Sequence, residues 1–141
     1  MNKLIALLAG ILTVVSCGVR EDVPFTQLDH YFFKNGQEIP ADPKIDSEEE
    51  FSALFGMAAV MGKDGMPTPV DFSKEFVIAV VKPVTDQFTE LSPVSLQMSD
   101  GELVFTYSET TGEKMSWSMQ PLLLVKADRR YGTASVRLVK L

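Results

Sequence analysis

The run Phe76-Val77-Ile78-Ala79-Val80-Val81 constrains the fold most, because it is unbroken in its apolar character, rich in β-branched residues and bounded by Lys74-Glu75 and Lys82-Pro83. So short a run between charged flanks predicts a strand buried on both faces at the centre of a sheet. Val94-Ser95-Leu96-Gln97-Met98 and Leu103-Val104-Phe105-Thr106-Tyr107 alternate instead, and Asp100-Gly101 between them predicts a tight hairpin. Met115, Trp117 and Met119 alternate with Ser116 and Ser118, which predicts Trp117 on the packed face of a strand. Leu122-Leu123-Leu124-Val125 and Val136-Arg137-Leu138-Val139 read as strands, and so does His30-Tyr31-Phe32-Phe33 before the Asn35-Gly36 turn.

One helix is signalled. In Ser47-Glu48-Glu49-Glu50 the serine hydroxyl can accept from the third helical N–H while Glu50 reaches back, and three acids suit the positive end of the helix dipole. Phe51, Leu54, Phe55, Ala58 and Met61 follow at helical spacing, with Gly62 as the stop. Gly56 inside it costs about 1 kcal/mol relative to alanine and points to close packing. The expected fold is α+β, one amphipathic helix packed on a mostly antiparallel sheet or half-barrel of about six strands, in a single domain over residues 25–141.

Cys17 is the lone cysteine, and it closes Val14-Val15-Ser16-Cys17 behind a start charged at Lys3 and an apolar run from Leu4 to Val15. That run is shorter than the ~20 residues that span a bilayer and has the build of a signal peptide. The four residues resemble the lipobox of bacterial lipoproteins. The resemblance implies that residues 1–16 are removed, that Cys17 is acylated on its sulfur and its new amino group, and that residues 17–24 tether the domain to the bacterial membrane. Location would be extracytoplasmic, at the outer membrane, and Glu21-Asp22 is similar to surface-export signals behind a lipid cysteine. Losing Lys3 takes the net charge from −6 to −7, which disfavours nucleic acid and anionic lipid surfaces as partners. With Cys17 lipidated the fold contains no disulfide, so stability in an oxidising envelope rests on packing.

Catalytic signals are thin. His30 is the sole histidine, there is no Gly-x-Ser-x-Gly turn, and a histidine at the start of an aromatic strand reads as structural. One histidine and a lipidated cysteine leave no zinc set, Asp64-Gly65 lacks the alternating acids of a calcium loop, and no glycine-rich phosphate loop occurs, so neither metal nor cofactor is expected. Asp71, Asp86, Glu90 and Glu109 border strands and could form a glycosidase pair, but read first as solvated acids. Thr85-Asp86-Gln87-Phe88-Thr89-Glu90 surrounds one aromatic with polar turn-formers between two strands, and is predicted to be a partner-binding loop at the rim of the sheet.

The order of an acidic cap, a Phe-x-x-Leu-Phe helix and Pro69-Val70-Asp71-Phe72-Ser73-Lys74-Glu75-Phe76-Val77-Ile78-Ala79-Val80-Val81 is similar to the PrcB-like C-terminal domain. That resemblance implies further β-hairpins, a penultimate strand opened by Pro121, and an accessory or protease-modulating role in the envelope. The family's Thr-Gly-Gly-Tyr type loop corresponds here to Thr85 through Phe88, without the glycines. The functional expectation is a non-enzymatic, lipid-anchored accessory or binding protein acting on a protease or other envelope protein. The alternative is a glycan-binding or glycan-processing envelope lipoprotein that uses Phe88 or Trp117.

Overall fold

A computed structural model describes residues 20–141. Cys17 and the segment 1–16 read as a signal peptide lie outside the described residues. The strands are β1 (Glu21–Asp22), β2 (Phe25–Gln27), β3 (Tyr31–Phe33), β4 (Lys44–Ile45), β5 (Phe55–Met57), β6 (Glu75–Val81), β7 (Thr85–Ser99), β8 (Glu102–Met119), β9 (Leu122–Asp128) and β10 (Ser135–Lys140). The single α-helix among the described residues is α1 (Glu48–Leu54), and a 3-10 turn covers Arg129–Tyr131. The expected α+β fold of about six strands is therefore incorrect: the chain is mostly β, with ten strands in several sheets among the described residues.

A long two-stranded ribbon organises the molecule. Asp100 and Gly101 both hold positive φ (53° and 77°), the geometry of the tight hairpin that the pair predicts. From that turn β7 and β8 pair antiparallel as far as Thr85 opposite Met119. Their upstream and downstream continuations, β6 and β9, then pair from Val81–Leu122 to Glu75–Asp128. Lys82 N–H donating to the Pro121 carbonyl (3.0 Å) carries the pairing across the joint. The ribbon folds over on itself, so that β7 and β8 lie in an outer sheet (order β1-β7-β8-β10) and β6 and β9 in a central sheet (order β2-β9-β6-β4).

Both faces of β6 are buried, as its sequence requires, and each faces a different core. Phe76, Ile78 and Val80 pack with Leu96, Leu103, Phe105, Leu123 and Val125 between the two sheets. Val77 and Ala79 turn the other way, joining Ile45, Phe51, Phe55 and Leu124 under a third layer made of α1 and the β3-β5 pair.

Ser47 caps α1 as expected, its hydroxyl accepting from Glu50 N–H at 3.2 Å. The helix nonetheless ends at Leu54, short of the expected Met61, because Phe55-Gly56-Met57 pairs antiparallel with Phe33-Phe32-Tyr31. Gly56 serves that strand pair: a Cβ there would sit 2.3 Å from the Phe32 ring, which lies over the glycine. Ser47→Ala should lower stability by about 1 kcal/mol, read as a shift of the urea midpoint; an unmoved midpoint would mean that the cap holds nothing.

Two further departures concern the ends. Glu21–Asp22, expected within a free tether, pairs with Gln97 and Met98, and Val23 is buried in the inter-sheet core. β10 joins β8 in parallel, Ser135 opposite Glu102 through Lys140 opposite Tyr107.

Candidate functional site

Between the two sheets the ribbon bows outward. Val81 belongs to the central sheet and Leu91 to the inter-sheet core of the outer one, and the residues between them could extend about 33 Å, whereas packed sheets stand about 10 Å apart. The slack must loop away from the sandwich. Thr85–Glu90 and Thr110–Met119 form this bow, and none of them belongs to either apolar core. Its neck is closed by Lys82, whose ammonium donates to the Tyr107 hydroxyl at 2.7 Å and lies 3.7 Å from Glu109.

The segment expected to be a loop is thus a paired strand, with Glu90 opposite Thr110, Thr89 opposite Thr111 and Gln87 opposite Lys114. Thr85 Oγ1 accepts from Gln87 N–H, Gln87 Nε2 donates across the ribbon to the Gly112 carbonyl, and the buried Thr89 hydroxyl donates to Gln87 O. Asp86 forms an exposed ion pair with Lys114 at 3.5 Å, and Glu90 faces solvent. Phe88 is 46% exposed and lies against Gly112, where a Cβ would approach its ring to 3.2 Å.

Trp117 is the main correction. It is 64% exposed, not packed. Between the partners Lys114 and Met119, the residues Met115–Ser118 all stand opposite Asp86 alone. This wide bulge bends the ribbon and breaks the alternation that would have carried Trp117 inward. Both long edges of the bow are unpaired among the described residues, because β1 pairs only with Gln97–Met98 and β10 stops beside Tyr107. The arrangement offers two exposed aromatics and open backbone donors and acceptors on a strand pair rich in hydroxyls and acids. Sequence reasoning missed the role of Lys82 and placed Trp117, its candidate glycan contact, on the packed face; Gly112 within an otherwise polar strand was the available signal of a bulge.

The remaining candidate residues hold structure. His30, at φ 67°, has Nε2 2.7 Å from the Asp64 carbonyl and pins the 58–66 loop. The Ser73 hydroxyl and backbone N–H both donate to Asp71 and hold its carboxyl below the usual carboxylate range, a turn cap at the entry of β6. Glu109 lies between Lys82 and Lys140. Among the described residues no cluster of His, Cys, Asp and Glu could hold a metal ion, and no helix is long and apolar enough to cross a membrane. No family model, no curated protein and no solved structure matches the chain.

Proposed function

We propose that this chain is an extracytoplasmic binding protein, anchored by acyl groups on Cys17, that engages an envelope protein through the β7–β8 bow and acts as an accessory or modulating factor. The observation that carries this reading is the exposure of Phe88 and Trp117 on a polar ribbon whose neck is held by Lys82. Aromatic side chains deliver large contact area at small entropic cost and dominate binding energetics where they become buried. Pro83 further restricts the exit from β6, so less freedom is lost when the bow docks. A second reading, glycan binding, is favoured by the single fact that the exposed bulge residue is a tryptophan.

The test is affinity capture from crosslinked cells fed a fatty-acid analogue. Wild type should carry the label and retain a partner protein, and Cys17→Ala should lose the label. Phe88→Ala/Trp117→Ala should cut partner recovery roughly tenfold or more while moving the unfolding midpoint little, since both side chains are exposed. Equal recovery of the same partners by the double variant, at equal abundance, would end the protein-binding reading. Selective retention of wall glycan by the wild type would establish the second one instead.

A further inference from the structure

A second surface lies on the opposite layer, over α1. Glu48, Phe51 and Ser52 follow one another on one face of α1, and with Phe55 just beyond its end they form a wall of a groove of about 320 Å³. Tyr31 contributes to its floor, and Met57, Met66 and Pro67 stand at its rim. Phe51 and Phe55 at its base belong to the core under α1, whereas Met57 is 73% exposed and Met66 74%, so the apolar lining opens outward at the rim. Exposed clusters of methionine are adaptable contact surfaces, and contiguous apolar patches of this kind mark recognition sites.

The far wall is set in advance. Thr68 is tied to Asp29 by two hydrogen bonds, Asp29 N–H to Thr68 Oγ1 (3.0 Å) and Thr68 N–H to Asp29 O (3.2 Å), and the Tyr31 hydroxyl donates to Thr68 O. Burial pushes the Tyr31 hydroxyl above its ordinary pKa. Pro67 and Pro69 stiffen the strip between. The adjoining loop is drawn tight by Val60 N–H donating to Gly65 O (2.9 Å) and by His30 on Asp64. At Gly65 a Cβ would fall 1.8 Å from the Val60 carbonyl oxygen, so only glycine fits. A groove already in its binding shape loses little entropy when filled.

Charge decides the occupant. Glu48 lines the groove and Glu49 and Glu50 follow it on α1, all exposed, and among the described residues none has a lysine or arginine within ion-pair distance. We infer that the groove takes a short basic–apolar peptide segment of another protein, with an apolar side chain between Phe51, Phe55 and Met66 and its lysine or arginine neighbours against Glu48 and Glu49. A fatty acyl chain would fill the apolar slot but leave the acid rim unanswered, and an acidic segment would be repelled. This surface is separate from the bow and does not depend on it.

The experiment is fluorescence polarisation on the full chain with three labelled synthetic peptides: a Leu-Phe pair flanked by lysines, the same pair flanked by glutamates, and a Ser-Ser pair flanked by lysines. The first should bind at least about tenfold more tightly than either of the others, because it alone satisfies both slot and rim. Met57→Ser/Met66→Ser should weaken it about tenfold, and Glu48→Lys/Glu49→Lys about fivefold while strengthening the glutamate-flanked peptide. All four positions are exposed, and a gain of affinity for the glutamate-flanked peptide is a readout that mere loss of α1, whose dipole the two lysines oppose, could not produce. Phe88→Ala/Trp117→Ala should leave binding unchanged, which separates this site from the bow. Equal affinity for the three peptides, indifference to the charge swap, or displacement of the first peptide by oleate or by phosphatidylcholine vesicles would each overturn the assignment.

Discussion

Replacing Phe105 by alanine should lower the stability of the protein by about 3–5 kcal/mol, a large part of the 5–15 kcal/mol that holds a typical domain together. Phe105 is wholly buried, lies opposite Leu96 on the ribbon and meets Phe25 edge to face, with centroids 6.0 Å apart at 82°. It therefore joins the outer sheet to β2 at the border of the central one. Truncation removes the transfer energy of the ring and leaves a hole among Phe76, Leu103 and Leu123, residues on both sheets whose backbones are fixed by pairing and cannot collapse into it. Urea unfolding followed by circular dichroism should show a lower midpoint with an unchanged slope. A loss below about 1 kcal/mol would mean that the two sheets do not share this core.

Phe51→Ala should act as strongly but on one layer. The ring is the buried residue of α1 and sits 5.2 Å from Tyr31, 5.1 Å from Phe55 and 5.6 Å from Phe72, centroid to centroid. A helix of seven residues is far below the roughly 12–15 needed to persist in water, so docking is what keeps α1 formed. Without the ring the helix should melt ahead of the ribbon, at a cost of about 3–4 kcal/mol to that layer. Hydrogen exchange should then show the amides of Phe51 through Phe55 losing protection while those of β6 and β9 keep theirs. Retained protection in α1 would show that the helix is held by something other than its aromatic cluster.

The parts of this fold that could be read from sequence are those fixed by near neighbours. Ser47 accepts from an amide three residues on, Asp100-Gly101 supplies its own left-handed backbone, and Phe76–Val81 carries its double burial in its composition. What escaped depends on partners distant in sequence. Phe55-Gly56-Met57-Ala58 keeps helical spacing, and only the pairing of Phe33 and Phe32 with it converts the stretch to a strand. Thr85–Glu90 looks like a loop because neither of its faces meets a core, although its ladder with Thr110–Met119, broken by two register shifts, still pairs it as a strand. Trp117 obeys a period of two, yet alternation assigns faces only where strands keep register, and four residues opposite one do not. The direction of β10 has no local signature at all.

The way the ribbon nests around Asp100-Gly101 also bears on how the chain finds its fold. Ser99–Glu102 is the pair next to the turn and Glu75–Asp128 the pair most remote from it, and every other pair of β6, β7, β8 and β9 lies between these two in order. Loop-closure entropy grows slowly with loop length, and once one pair has formed the next encloses only a few more free residues. Partners that are far apart along the chain can therefore meet by zipping outward from a single tight turn, with no long unconstrained loop to close at any step. The bow, with its bulges at Gly112–Glu113 and Met115–Ser118, is where that zipper loses register, so the search separates naturally into an outer hairpin that can form alone and a central strand pair that must wait for it.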